Sequence, residues 1–223
     1  MQSAVQRRII GPTRRSVSGF HCFRGGPMIP YESTLERDLL RKLAISRRVM
    51  QVEAQPLTME WYDSSGRARH YTPDFLVHWR WMGEYWQNRD LPWLIEVKPL
   101  AVLLAHWTQW HPKFRAACRF AKERGWRFRI LDEARIRDVV FQNAVLLERY
   151  ARYAIAADPD AVVDWIGRSE IATVGALFGT VVQQRPIDLP TIWHLIGTGA
   201  LDCDLTQRLD MNTELWVPAN EHA

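Results

Sequence analysis

Two short strand-like runs, each with a carboxylate at one end, constrain this sequence more than any other feature. Residues 71–78 read YTPDFLVH and contain Asp74, and residues 91–98 read LPWLIEVK and contain Glu96 and Lys98. Residues i and i+2 of a β-strand share a face, so Glu96 and Lys98 should point the same way, with Val97 in the opposite layer. If the two runs are neighbouring strands, Asp74 and Glu96 lie a few ångström apart.

Two adjacent carboxylates are costly unless a divalent cation neutralises them. Such a cation polarises a phosphoryl oxygen and lowers the pKa of a bound water, and Lys98 could orient that water or stabilise the phosphorane. The alternative is structural: Glu-Val-Lys as a solvated strand face with one ion pair, and Pro-Asp as a turn before a strand. Both motifs together, in this order, favour a metal-dependent nuclease.

A third acid, Glu36, lies upstream in a predicted helix. Apolar residues recur at helical spacing over residues 33–46, and Ser33 with Glu36 forms a capping-box signature. Glu36 is therefore either a cap only or a third metal ligand from an N-terminal helix. Glu32 and Asp38 compete for that second role, although Asp38 cannot easily face the same metal as Glu36.

Several segments together resemble a known family. Residues 33–36 (STLE), 52–56 (VEAQP), 71–75 (YTPDF) and 96–99 (EVKP) are similar to motifs of TnsA, the restriction-like endonuclease subunit of heteromeric cut-and-paste DNA transposases. The resemblance continues through residues 113–121 and 125–131. A C-terminal stretch with Ala176, Leu177 and residues 199–201 is similar to the winged-helix region of that family.

The resemblance implies a fold and an activity. The fold is α/β, a restriction-endonuclease-like mixed β-sheet flanked by helices, followed by a small C-terminal winged-helix-like helical domain. Glu36, Asp74, Glu96 and Lys98 would be catalytic, and the three acids would bind two Mg²⁺ ions, with Mn²⁺ able to replace them. The family implies cleavage of double-stranded DNA near the 5′ ends of a transposon, in the bacterial cytoplasm, with a DDE transposase and an AAA+ ATPase regulator as partners.

Two other functions remain open. One is a stand-alone restriction or repair nuclease with the same four residues. The other is a degenerate nuclease fold that serves as a DNA-binding or scaffold module, whose mark would be a missing acid or lysine. None of the four is missing here.

Charge is unevenly divided along the chain. Residues 1–144 carry 24 basic and 14 acidic side chains, whereas residues 145–223 carry 5 and 11. A basic first part suits a polyanionic substrate. An acidic second part suits a protein partner, and we expect it to bind the ATPase regulator. The predicted division is a basic flexible arm over 1–31, a nuclease domain over 32–144 and a partner-binding domain over 145–223.

Bulk composition excludes some classes of protein. The three cysteines are scattered and odd in number, which argues against a disulfide framework and a structural zinc site. No apolar run approaches the roughly 20 residues that span a bilayer, so no membrane role is expected. Most of the 11 tryptophans should cover the core or the sheet edges, with base stacking as the alternative.

The predicted elements place one further set of candidates. Lys113, Arg115, Arg119 and Lys122 should line one face of a helix over 114–122, either as phosphate contacts or as a solvated face. His106 and His111, five residues apart, do not share a helical face and should be structural or lie in a loop near DNA. The remaining predictions are strands over 49–61, 71–81, 93–98, 126–131 and 215–217, turns at 63–66 and 83–90, and helices over 134–155, 171–183 and 189–199.

Overall fold

The computed structural model describes residues 17–63, 65–80, 91–153, 155, 158–169 and 172–218. It divides into two compact units, Met1–Arg137 and Asp138–Ala223. The predicted turn over 83–90, Trp81, Trp86 and the first 16 residues of the predicted arm lie outside the described residues.

Unit 1 contains a mixed β-sheet. Its elements in chain order are β1 (Gly19–Cys22), β2 (Met28–Tyr31), α1 (Thr34–Ile45), β3 (Val49–Ala54), β4 (Met59–Tyr62), β5 (Ala68–Tyr71), β6 (Phe75–Trp79), β7 (Trp93–Val97), α2 (Leu100–Ala105), α3 (Trp107–Glu123), β8 (Arg127–Leu131) and α4 (Glu133–Ile136). The four-stranded sheet has the order β3-β6-β7-β8. Its first two pairings are antiparallel and the pairing of β7 with β8 is parallel. The predicted mixed sheet flanked by helices is confirmed.

Helices cover both faces of this sheet. On one face the leucines of α1, such as Leu39 and Leu40, share a core with Val77 and Ile95. On the other face Phe114 of α3 packs with Leu94 and Leu76. Because successive strand residues face opposite layers, Glu96 lies on the same face of β7 as Leu94, the face that α3 covers. The carboxylate of Glu96 therefore lies in the largely apolar layer between the sheet and α3.

The chain before α1 forms a hairpin, which differs from the flexible arm predicted for residues 1–31. Strands β1 and β2 pair antiparallel, and Phe23 and Ile29 are buried in the same core as α1. Arg24, at the turn, donates hydrogen bonds to the carbonyl oxygens of Ala44, Ser46 and Val49. Apolar burial and these bonds fix the segment onto the end of α1.

The strand predicted over 49–61 is two strands in two different sheets. Strand β3 ends at Ala54, and β4 pairs with β5 in a separate hairpin. Gln55 adopts a left-handed backbone conformation with φ +47°, and Pro56 has no N–H to donate, so the ladder cannot continue. The strand predicted over 71–81 is likewise interrupted, because Pro73 separates β5 from β6.

The helix predicted over 114–122 is much longer than expected. Helix α3 begins at Trp107 and contains Pro112, and α2 precedes it directly. His106 stacks on Trp110, with ring centroids 4.9 Å apart. No helix in the described part of the chain is long and apolar enough to cross a membrane.

Unit 2 is mainly helical. It contains α5 (Val139–Ala151), α6 (Pro159–Gly167), α7 (Val174–Leu177), the short strands β9 (Val181–Val182) and β10 (Arg185–Pro186), and α8 (Leu189–Thr198). Isolated β-bridges join Thr173 to Glu214 and Asp202 to Trp216. Ile192 and Leu195 of α8 are buried in this unit.

Several predictions for unit 2 need correction. Residues 159–167, for which no helix was predicted, form α6, because Asp158 caps the helix and Pro159 at its first position needs no N–H partner. The helix predicted over 171–183 is only α7, since Phe178 is extended and Gly179 has φ +79°. Gln183 and Gln184 adopt positive φ in the β9–β10 turn. The strand predicted over 215–217 is reduced to one bridge, between Trp216 and Asp202. The unit begins at Asp138 rather than at residue 145, and Asp138 is the N-cap of α5.

We expect Asn143→Ala to destabilise unit 2. Asn143 is buried, and its side-chain amide donates to the carbonyl oxygens of Leu205 and Gln207 at 2.9 and 2.7 Å. Removing it leaves two acceptors unpaired, at a cost of about 1–3 kcal/mol in the free energy of unfolding. Urea unfolding of the full chain measures this, with the neighbouring exposed Gln142→Ala as the control. Equal stability of the two variants would contradict the assigned role.

Candidate active site

The register of β6 against β7 brings two carboxylates together. Phe75 lies opposite Ile95, so Asp74, directly before β6, lies opposite Glu96. The Asp74 N–H donates to the carbonyl of Ile95, and the Asp74 carbonyl accepts from Gln55 N–H at 2.8 Å. Pro73 fixes φ immediately before this residue. The backbone of Asp74 is thus held on both sides.

Three oxygens converge on the ammonium group of Lys98. Its Nζ lies 3.5 Å from Asp74 Oδ2 and 3.2 Å from Glu96 Oε1. It also donates to the carbonyl oxygen of Val97 at 3.0 Å. Oxygen donors that converge on one positive charge are the arrangement that a hard cation requires. The predicted proximity of Asp74, Glu96 and Lys98 is present.

Burial sets the electrostatics of this group. Burial and the neighbouring charge of Glu96 raise the pKa of Asp74 to about 7, although Lys98 and the N–H of Val97, 2.7 Å from Oδ2, oppose the shift. Burial alone would lower the pKa of Lys98, but the charges of Asp74 and Glu96 raise it. Both carboxylates therefore favour the charged form of Lys98, which is their counter-ion.

Glu96 is 2% exposed and is held by two groups that the sequence interpretation did not assign to it. The hydroxyl of Tyr71 donates to Oε2 at 2.6 Å. The ammonium of Lys113 lies 3.5 Å from Oε1. Burial raises the pKa of Tyr71, and burial lowers that of Lys113. The position of Tyr71 at the end of a strand beside Pro73 was the only signal for its role.

The prediction that Lys113, Arg115, Arg119 and Lys122 line one helical face is wrong. A helix turns about 100° per residue, which puts Lys113 nearly opposite Lys122. Phe114, Ala117 and Ala121 face the sheet, and Lys113 beside them reaches Glu96. The other three basic side chains are exposed and form a separate outer face.

A comparison with known protein families identifies the domain that carries Asp74, Glu96 and Lys98. Residues 46–133 match the family model described as TnsA-like endonuclease N terminal. These residues form a TnsA-like endonuclease domain. The resemblance seen in the sequence is confirmed over this span, which includes Asp74, Glu96, Lys98 and Lys113. No curated protein matches the chain.

Glu36 lies outside the matched span and acts as a helix cap beside the TnsA-like domain. Its two carboxylate oxygens accept from Glu32 N–H at 2.7 Å and from the Ser33 hydroxyl at 2.9 Å. Its own N–H donates to Ser33 Oγ, so Ser33 caps α1 as predicted, while the carboxylate bonds the N–H of Glu32 rather than that of Ser33. Burial raises the pKa of Glu36, and the charge of Lys98 acts against this shift.

The two competing acids have other partners. Asp38 is buried in ion pairs with Arg37 and Arg137, and Glu32 accepts from the side chain of Gln55. Across the described ranges, no three His, Cys, Asp or Glu side chains are grouped to hold a metal ion. Asp74 and Glu96 both contact Lys98, which also donates to the carbonyl of Val97, and the charge of Glu36 acts on Asp74 and on Lys98.

The raised pKa of Asp74 predicts a pH-dependent stability for the metal-free TnsA-like domain. The folded chain binds this proton more tightly than the unfolded chain does, so the free energy of unfolding falls as the pH rises from about 4 to about 7. Asp74→Asn has no such proton and can keep the bond from Val97. Over this pH range we expect the free energy of unfolding of Asp74→Asn to rise relative to that of the wild type, by an amount on the order of a few kcal/mol.

Denaturant unfolding in chelator at several pH values checks this. Asp164→Asn, which neutralises an aspartate whose side chain is 71% exposed, is the control and should follow the wild type. If the free energies of unfolding of the wild type and Asp74→Asn changed with pH in parallel, burial would not raise the pKa of this carboxyl.

Proposed function

We propose that this chain is a Mg²⁺-dependent DNA endonuclease subunit of a transposase, which cuts the 5′ strands at transposon ends. The observation that carries the proposal is the convergence of Asp74 Oδ2, Glu96 Oε1 and the Val97 carbonyl on one cation, the Lys98 ammonium. This arrangement lies within a TnsA-like endonuclease domain. An all-oxygen donor set suits Mg²⁺ or Mn²⁺ and is a poor set for softer metals.

Asp74, Glu96 and the carbonyl of Val97 are the groups that would hold the divalent ion. When bound, such an ion polarises a phosphoryl oxygen and lowers the pKa of a water ligand. Lys98, whose ammonium contacts these three oxygens in the metal-free chain, would move aside for the ion and could then stabilise the negative charge that develops on a phosphate oxygen during attack. Tyr71 keeps the second oxygen of Glu96 in place.

Glu36 separates a one-metal scheme from a two-metal scheme. Glu36 is the candidate third carboxylate, and in the metal-free chain both of its oxygens accept hydrogen bonds. The proposal keeps two Mg²⁺ ions, with one at Asp74 and Glu96 and Glu36 as the added ligand of the second, whose remaining ligands would be waters and substrate phosphates. The charge of Glu36 acts on both Asp74 and Lys98, which supports its place at the site.

Substrate contacts are proposed for the outer face of α3. Arg115, Arg119 and Lys122 are exposed there, on a helix that also carries a side chain into the site. Three positive charges that neighbour one another on one face of a helix suit the phosphate backbone of double-stranded DNA.

Unit 2 is proposed to bind a protein partner. Residues 145–223 carry 11 acidic and 5 basic side chains, and α8 contains no lysine or arginine. A helix that reads DNA normally presents several such residues. The β-bridges that bracket α7 and α8 support a winged-helix-like arrangement, and its charge suits an AAA+ ATPase regulator. A DDE transposase would cut the other strand, with the assembly acting in the bacterial cytoplasm.

Strand-specific cleavage of a transposon-end duplex tests the nuclease. The assay contains Mg²⁺, the cognate transposase and the ATPase regulator, because an isolated subunit can be silent for lack of partners. We expect Asp74→Ala and Lys98→Ala each to lose the 5′-strand cut by at least about a hundredfold, since each removes charge from the reacting centre.

Glu123→Ala is the matched control, because Glu123 is an exposed carboxylate at the end of α3. The cut on the opposite strand reports that the assembly has formed. Unchanged 5′ cutting by both site variants would mean that the acids are structural, and the chain would then be a scaffold rather than a nuclease.

The outer face of α3 predicts a change in salt dependence. Replacing Arg115, Arg119 and Lys122 with alanine should reduce the slope of log K against log salt by about 0.9 for each phosphate contact that is lost. Fluorescence anisotropy with a labelled duplex at several salt concentrations measures this. Alanine replacement of the exposed Arg149, Arg152 and Arg168 in unit 2 removes the same charge and should leave the slope unchanged. Equal slopes for both triple variants would place the DNA elsewhere.

A further inference from the structure

Two ammonium groups share one oxygen of Glu96. Lys98 Nζ lies 3.2 Å from Oε1 and Lys113 Nζ lies 3.5 Å from the same atom. Only Lys98 also reaches Asp74, at 3.5 Å. Lys113, on the helix that covers the sheet, thus forms an ion pair with Glu96 beside that of Lys98.

Three aromatic rings hold the ammonium of Lys113. Its Nζ lies 4.6 Å from the ring centroid of Tyr71 and 4.9 Å from those of Trp110 and Phe114. Cation–π attraction of this kind favours a cation that has been partly removed from water. The side chain is 17% exposed, so its charge is only weakly screened by solvent.

A divalent ion bound to Glu96 Oε1 would lie within a few ångström of this charge. Repulsion between two positive charges at such distances is substantial in a partly buried site, and it doubles for a divalent ion. Lys113 and a metal ion would therefore compete for the same carboxylate oxygen, Glu96 Oε1. The outcome depends on how firmly the aromatic rings hold the lysine in place.

We propose that Lys113 is a positioning residue that occupies Glu96 in the metal-free chain and competes with the divalent ion for it. This inference rests on the proposed function, because it takes Glu96 as a metal ligand. Lys113 lowers the metal affinity of the free chain. In return it neutralises a buried carboxylate that would otherwise lack a second counter-ion.

Calorimetric titration of the full chain with Mn²⁺ alone, without DNA, tests this competition. Lys113→Met keeps an unbranched apolar stem against the three rings and removes the charge, so it should bind Mn²⁺ about tenfold more tightly than the wild type. Lys113→Arg keeps the charge and should bind like the wild type. Arg67→Met removes an equal charge from an exposed position in the β4–β5 turn and should change the affinity little.

The sign of the change separates competition from a structural role. A lysine that only supports the fold would, when replaced, weaken Mn²⁺ binding and lower the melting temperature. Unchanged or weaker binding by Lys113→Met would therefore overturn the inference. Tighter binding by Arg67→Met to the same extent would also overturn it, because net charge would then explain the result.

Asp74→Asn in the same titration distinguishes this inference from the proposed function. If Asp74→Asn weakens Mn²⁺ binding while Lys113→Met fails to tighten it, the metal site stands and the competition is wrong. If Asp74→Asn leaves binding unchanged, or if the wild type and Lys113→Met bind no Mn²⁺, the metal site itself fails, and the competition fails with it.

Discussion

The antiparallel pairing of β6 with β7 determines where every group of the site lies. Phe75 opposite Ile95 places Asp74 opposite Glu96, and the alternation of β7 then sends Lys98 to the same side. A slip of one residue would turn Glu96 into the leucine-rich layer beneath α1 and remove it from Asp74. The apolar neighbours Leu94 and Ile95 are both fully buried, so the hydrophobic cores on the two faces fix this register.

A fixed register creates an electrostatic problem. Glu96 must be buried beside a second carboxylate, and burial of unpaired charge is strongly unfavourable. Three groups from different parts of the fold compensate the charge of Glu96. They are the hydroxyl of Tyr71 in β5, the ammonium of Lys98 directly after β7 and the ammonium of Lys113 in α3. The pKa of Asp74 is still raised, so this compensation is incomplete. This partly compensated carboxylate pair is where we propose that a divalent cation binds.

Local sequence patterns predicted the parts of this structure that depend on neighbours along the chain. The N-cap of α1 at Ser33, the strand Trp93–Val97 that carries Glu96 and the helix that begins at Leu189 all follow from spacing within a few residues. The break at Gln55 depended on a left-handed backbone conformation, which glutamine rarely adopts and which composition does not signal. The role of Tyr71 depended on contact with a residue 25 positions away.

The error over Lys113 shows why the site could be predicted only in part. Four basic residues in one helical segment suggest one basic face, but the position of the first relative to the others depends on how the helix is rotated against the sheet. Phe114, Ala117 and Ala121 fix that rotation by packing. Once they face the sheet, Lys113 beside Phe114 must enter the same layer as Glu96, while Lys122 is turned to solvent. The packing that stabilises α3 is therefore also what brings a second lysine to the acid, and charge pattern alone contains no information about it.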